Sequence, residues 1–227
     1  MRKNSGAGSF KAIIFDMDGT LLDSKTAFIK QLEDFFTIHH VNGINKTSIT
    51  KLVGKNYHDI FQEVFDGVDA EQEKQWIDWM NYSYRFYYID KFARLFPGAL
   101  RCIKRLKAQG FKVGVATNAP KIILEYFMSK YEFEQMGIIG VSGDDVERKK
   151  PYPDMLLKLM KQLDCKPDNT IYVGDMDIDV RAARAASMSS IAVLTGLSDI
   201  TSIESEHPDV IVPSIEWVCN IITSSSS

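Results

Sequence analysis

Ala12-Ile13-Ile14-Phe15-Asp16-Met17-Asp18-Gly19-Thr20 is an apolar run that stops at two carboxylates one residue apart. Such a run reads as a buried strand whose carboxyl end opens into a site, the place where open α/β sheets bind their ligands. In an extended chain residues i and i+2 point the same way, so Asp16 and Asp18 face one pocket if the strand continues. If the chain turns at Gly19 instead, the second Asp swings free and its main-chain carbonyl can face the pocket. Either geometry gathers oxygen ligands. Two carboxylates so close repel each other, and a hard divalent cation such as Mg²⁺ relieves the repulsion while keeping some of its water. A metal so placed would also hold a phosphoryl oxygen, leaving one Asp as nucleophile and the other as acid and base. A polar turn after a strand, or a fragment of a calcium loop, uses the same letters, so the rest of the chain has to decide.

Beyond Asp23 the pattern changes. From 24 to 95 the spacing is helical, with Ala27, Leu32, Phe35 and Phe36 followed by Ile60, Phe61, Val64 and Phe65, and no strand is evident. Trp76, Trp79, Tyr82, Phe86, Tyr87, Phe92 and Phe96 recur at helical intervals and read as a packed helix face. Pro97-Gly98 marks a boundary, and a helix over 100–109 ends at Gly110. Strand and helix then alternate. Strands are expected at 112–117, 137–141, 170–175, 190–194 and 209–212, and helices at about 121–131, 155–163, 178–186 and 214–223. This predicts a Rossmann-like α/β fold, a parallel sheet with helices on both faces, built from 10–23 and 96–223. The all-helical block 24–95 is then an insertion after the first strand. Residues 1–9 and 224–227, rich in Gly and Ser, are expected to be disordered ends.

The 227 residues, 45% hydrophobic and 25% charged, suffice for a core domain carrying a smaller one. A formal charge of -3 provides no basic field for nucleic acid, and no run approaches the length of a membrane span. Cys102, Cys165 and Cys219 lie too far apart for a metal knuckle and suit a reducing compartment, so a cytoplasmic protein is the expectation.

Three further strand ends carry polar side chains. Thr117-Asn118 follows Val113 to Ala116 and offers a hydroxyl and an amide to a phosphate oxygen, or to an ordinary helix cap. Arg148-Lys149-Lys150-Pro151-Tyr152-Pro153-Asp154 sets three cations against a Pro-x-Pro, so that one lysine can neutralise phosphate and carboxylate charge unless the run is a solvated face. Gly174-Asp175-Met176-Asp177-Ile178-Asp179 follows Ile171-Tyr172-Val173. Asp175 can complete a metal shell with Asp16 and Asp18, while Asp179 falls in the first turn of a helix, where it could orient metal-bound water.

Together, Asp16-x-Asp18-x-Thr20, Thr117-Asn118, Lys150-Pro151 and Gly174-Asp175-x-x-x-Asp179 resemble the haloacid dehalogenase superfamily of phosphotransferases, over nearly the whole chain and in the family's order. Phe15 to Ser24, with Pro97-Gly98 after the insert, is most similar to the phosphoglycolate phosphatase and β-phosphoglucomutase branch. The resemblance implies Asp16 as the nucleophile that becomes an aspartyl-phosphate and Asp18 as general acid, then base. It implies Thr117 on the phosphoryl group with Asn118 behind it and Gly19 on the phosphate side, and Lys150 stabilising phosphoryl and nucleophile. Mg²⁺ would be held by Asp16, Asp175 and the main-chain carbonyl of Asp18, with Asp179 in support, and the insert would act as a cap that excludes water and reads the leaving group. Lys149 precedes Lys150 where the family often has glycine, so either lysine could serve, and adjacency to Pro151 favours Lys150. Lys55, in Leu52-Val53-Gly54-Lys55-Asn56, resembles the family's substrate loop, though a surface lysine in a helix turn reads the same.

A Mg²⁺-dependent phosphatase acting on a small phosphorylated metabolite is therefore the expected function. A phosphomutase of the same architecture is the alternative, and a binding protein on an inactive scaffold would have lost one of the key residues. Dehalogenation would leave Asp18 without a role. Substrate and oligomeric partner are not specified by the pattern.

Overall fold

The computed structural model describes residues 10–41, 45–53, 55–65, 67–196 and 198–224. The expectation of disorder at 1–9 and 225–227 lies outside these residues, whereas Ser224 closes the last helix. The chain divides into two compact units, one formed by the segments through Asp23 and from Leu95 onward, the other by Ser24–Arg94.

Among the described residues there are eight short strands: β1 Ala12–Phe15, β2 Leu22–Asp23, β3 Arg94–Leu95, β4 Lys112–Thr117, β5 Ile139–Ser142, β6 Thr170–Gly174, β7 Ser189–Val193 and β8 Val210–Val212. β2 and β3 lie at the two passages between the units. The other six form one sheet in the order β5-β4-β1-β6-β7-β8, with every neighbouring pair parallel. The chain leaves β1 toward β4 and β5, then returns to the other side of β1 for β6. The crevice between β1 and β6 is thus the switch point of the sheet, where ligands of doubly wound folds bind. Every residue of β1 is buried, as a central strand covered on both faces requires.

The second unit comprises α1 Lys25–Ile38, α2 Lys46–Leu52, α3 Tyr57–Val64, α4 Ala70–Ser83 and α5 Ile89–Phe92, with a π-helical turn at Tyr84–Tyr88. Short polar side chains set the starts of three of these helices. Asn45, Asn56 and Asp69 each accept the backbone N–H three residues on, a cap worth about 1 kcal/mol apiece. Leu32, Phe35, Phe36, Ile60, Phe61 and Met80 form the unit's own core. The aromatic stretch divides instead of packing as one face. Trp76 lies against Phe35, Phe61 and Phe65 at ring separations of 4.7–5.4 Å, while Tyr82, Phe86 and Tyr87 stay exposed. One buried polar group organises this core: Gln31 donates to Met80 O and Ser83 Oγ and accepts from Tyr57 OH.

Helices of the first unit are α6 Ala99–Ala108, α7 Lys121–Lys130, α8 Asp154–Gln162, α9 Asp177–Ala185, α10 Ile200–Ser205 and α11 Ile215–Ser224. α8 and α9 cover one side of the sheet through Met155, Leu156, Leu159, Ala182 and Ala183, packed with Ala12, Ile14 and Tyr172. Burying one of the larger α8 side chains contributes roughly 1.5–3 kcal/mol. The strand expected at 137–141 begins two residues later, because Gly137 adopts φ +68 and donates to Glu134 O in a turn. α10 was not anticipated, being too short to show a helical period.

Candidate active site

Three of the polar segments stand at the carboxyl ends of the adjacent strands β4, β1 and β6, whereas the fourth, expected at a strand end, lies in the loop between β5 and α8 and sends Lys150 to Asp16. Parallel register sets Phe15 of β1 beside Val115 of β4 and Val173 of β6, so the next residue, Asp16, emerges between the ends of both neighbours. Its N–H still donates to Val173 O at 2.8 Å, which fixes it on the sheet while its side chain enters the site. The chain turns after Asp18 rather than extending, with Gly19 at φ +82 and its N–H on Leu22 O. Asp18 is half-buried, whereas Asp16 is buried.

Lys150 is the lysine that enters. Its Nζ lies 2.6 Å from Asp16 Oδ1, 2.8 Å from Asp179 Oδ1 and 3.0 Å from Tyr172 OH. Lys149 points elsewhere, half exposed and 3.9 Å from Asp144. Asn118 holds Lys150 by its main chain, donating from Nδ2 to Lys150 O and accepting Lys150 N–H at Oδ1. The amide expected behind the phosphate is therefore engaged in placing the lysine. Thr117 is buried at the end of β4, and its Oγ1 accepts Ala119 N–H at 3.1 Å.

Asp175 follows β6, with Oδ1 accepting from Thr20 Oγ1 at 2.8 Å. Two glycines make room for its carboxylate. A Cβ on Gly19 would stand 2.4 Å from Asp175 Oδ2, and one on Gly196 would stand 1.6 Å from it. No side chain fits at either point, and at Gly19 the positive φ forbids one independently. Thr195 pins this arrangement by donating to Gly19 O at 2.6 Å. Thr195 and Gly196 were missed in the sequence because neither carries charge, and Asp199, which shares their loop after β7, caps α10.

Asp16, Asp175 and Asp179 offer carboxylate oxygens all within 4.8 Å of one another, so the donor set has the chemistry of a hard-cation site. Asp179, expected in a supporting role, is tied to both Lys150 and the Asp175 main chain. Its Oδ1 accepts from Lys150 and Tyr172, and its Oδ2 accepts the N–H groups of Asp175 and Met176 at 3.2 and 3.0 Å. Both of its oxygens are thus engaged by the protein.

The electrostatics carry the same message. Burial pushes the Asp16 carboxyl up to about 7, Lys150 opposes this, and the Asp179 and Asp18 charges add to it. Burial and then the charges of Asp16 and Asp179 hold Asp175 well above the usual carboxylate range. Burial works against the Lys150 charge, yet Asp16 and Asp179 more than offset it and its pKa lies well above the ordinary value. Three buried carboxylates thus face one ammonium, an excess of negative charge that a divalent cation fits.

Lys55 stands in the turn between α2 and α3, where its ammonium pairs with Glu63. Gly54, beside it, lies outside the described residues. Asp177 accepts from Arg181 one turn along α9, the behaviour of a half-buried helix-start residue.

Comparison with known proteins agrees with this geometry. Pyrophosphatase PpaX of Bacillus mycoides (strain KBAB4) is 25% identical over 211 residues, 93% of this chain and 96% of that protein. A solved structure described as a haloacid dehalogenase-like hydrolase from Bacteroides fragilis is 26% identical, has a TM-score of 0.78, and covers 92% of this chain and 100% of its own. A predicted phosphoglycolate phosphatase from Haemophilus somnus 129pt has a TM-score of 0.83 at 20% identity, covering 95% of this chain and 99% of its own. The family model for haloacid dehalogenase-like hydrolases matches residues 13–193, a span that takes in Asp16, Thr117, Lys150 and Asp175, and the chain belongs to that family.

Proposed function

We propose that this hydrolase is a Mg²⁺-dependent phosphatase acting on a small phosphorylated metabolite through an aspartyl-phosphate. The observation that supports it is the buried Asp16, held by Lys150 at 2.6 Å beside the cluster with Asp175. A carboxylate at a strand end, gripped by an ammonium and ringed by further carboxylates, suits nucleophilic attack on a metal-held phosphoryl group.

Asp16 attacks the phosphoryl group and becomes its carrier. Asp18, two residues on and more open to solvent, protonates the departing oxygen, then takes a proton from the water that releases phosphate. The Lys150 ammonium and the Thr117 hydroxyl meet charge that spreads over the phosphoryl oxygens in the transition state. Mg²⁺ would be held by Asp16, Asp175 and the Asp18 carbonyl, and when bound it supplies neutralisation of phosphoryl charge. The cytoplasmic assignment belongs to the same reading: among the described residues no helix is long and apolar enough to cross a membrane.

The experiment is a panel of phosphate esters with Mg²⁺, measuring free phosphate and rearranged sugar phosphate together. Release of phosphate from at least one ester is expected, and rearrangement without release would replace phosphatase by mutase. Similarity to Pyrophosphatase PpaX adds inorganic pyrophosphate to the panel.

Two variants probe the roles. Asp18→Asn should slow hydrolysis of alkyl phosphates by roughly 10²–10⁴-fold and that of p-nitrophenyl phosphate far less, since nitrophenolate leaves without a proton. Equal losses on both would remove the acid role. Gly196→Ala drives a methyl group into Asp175, and should raise the Mg²⁺ needed for half-maximal activity by roughly 10–100-fold. A Mg²⁺ titration that superimposes on the wild type would show that Asp175 does not hold the metal.

A further inference from the structure

Tyr172 sits in the middle of β6, where its neighbours Ile171 and Val173 are the apolar residues a central strand demands. A hydroxyl here is costly unless bonded, and phenylalanine would fill the same space. The ring is 1% exposed and packs in the cluster with Ile14, Met155 and Leu159, so its apolar part needs no explanation. The oxygen does. It accepts from Lys150 Nζ at 3.0 Å and donates to Asp179 Oδ1 at 2.9 Å, while Lys150 and Asp179 also bond each other at 2.8 Å. Three polar atoms therefore close a triangle beneath Asp16.

The consequences follow from counting donors. An ammonium has three N–H groups. Those of Lys150 meet Asp16, Asp179 and Tyr172, one each, so the direction of the N–H aimed at Asp16 is set by where the other two are held. Of the three acceptors Tyr172 alone is neutral. Burial and then the neighbouring Asp179 charge hold its pKa well above the ordinary value, which keeps the proton that Asp179 needs. The strand supplies the placement. Tyr172 and Gly174 lie on the same face of β6, and the missing side chain at Gly174 admits Asp179, whose Cβ would be 2.4 Å from a Cβ there. One face of one strand thus brings the hydroxyl and the carboxylate to the same ammonium.

We propose that Tyr172 is a positioning residue for Lys150, its buried hydroxyl linking the ammonium to Asp179 so that one N–H stays directed at Asp16 and the phosphoryl group it attacks. The inference rests on the phosphatase reading for its catalytic effect, but the geometry of the ammonium can be tested without turnover. Without the hydroxyl Lys150 keeps two partners and one N–H is left without an acceptor, so the head group gains freedom in the one direction the chemistry needs fixed.

The test compares the full-length protein with Tyr172→Phe. With p-nitrophenyl phosphate and saturating Mg²⁺, kcat should fall about tenfold while KM stays within about twofold, because the loss lies in directing charge at the transition state and not in holding the ester. In parallel, spectra of ¹⁵N-lysine-labelled protein without substrate should show the Lys150 ammonium exchanging with solvent about tenfold faster in the variant. Lys150→Met identifies the resonance. A wild-type protein with no turnover would sink the phosphatase reading alone, and the ammonium spectrum would then decide the positioning. Unchanged exchange, or a rise in KM with kcat preserved, overturns the proposal. Should Tyr172→Phe fold poorly, the wild-type spectrum still serves: a slowly exchanging Tyr172 hydroxyl proton close to the Lys150 ammonium is expected, and rapid averaging of that proton with water counts against the triangle.

Discussion

Asp16→Asn is expected to lower turnover by roughly 10³-fold or more with the fold intact. The amide keeps the shape of the carboxylate but cannot form an acyl phosphate. It also reduces the repulsion that raises the pKa of Asp175, where Asp16 is the largest charge acting. Lys150 retains Asp179 and Tyr172, so its ammonium is not stranded. Loss of activity should therefore come with little loss of stability, which separates chemistry from structure. The measurement is kcat on p-nitrophenyl phosphate beside a urea unfolding curve. Substantial hydrolysis by the purified variant would rule out Asp16 as the nucleophile.

Lys150→Met should do the opposite to stability. It removes the ammonium from between two buried carboxylates, and breaking such a pair from one side typically costs about 3–5 kcal/mol. Turnover should drop by roughly 10²–10³-fold from the lost stabilisation of phosphoryl charge. A second loss adds to it, since Lys150 is the group that opposes the upward push of burial on Asp16. Without it the carboxyl is held protonated at neutral pH and cannot attack. Mg²⁺ should restore part of the stability, because a dication at Asp16 and Asp175 replaces some of the missing charge. Urea unfolding with and without Mg²⁺ reads this directly, and a variant as stable as the wild type in the absence of metal would show that the cluster is not the charged assembly described.

Most of the fold was readable because its signals are local. The apolar run at Ala12 to Phe15, the alternation after Gly110 and the helical spacing of the insertion each arise within a few residues, and they led to the parallel sheet and the helical unit. Strand ends were also readable, since Asp and Thr-Asn break apolar runs, whereas Lys150-Pro151 lies in the loop after β5. What escaped was the part decided by tertiary approach. Asn118 read as a residue backing the phosphate, and nothing in the sequence showed that its side chain grips the main chain of Lys150, thirty-two residues on. Gly196 carried no motif, and its value is empty space that only the folded chain reveals. Tyr172 was hidden by its own strand, where an aromatic residue is ordinary. Lys150 over Lys149 could be favoured from the adjacent proline, but burial and the contact with Asp16 are what separate the two in the structure.

The threonine that steadies the Gly19 turn is donated from 176 residues further along the chain, and the lysine on Asp16 from 134. Asp16 is therefore made well before both Lys150 and Thr195. Until those residues are made Asp16 has no ammonium beside it, so the arrangement around it forms only after the strands through β7 exist. A polypeptide cut short before Thr195 would leave Gly19 O without its hydroxyl, and one cut short before Lys150 would leave Asp16 without its ammonium as well.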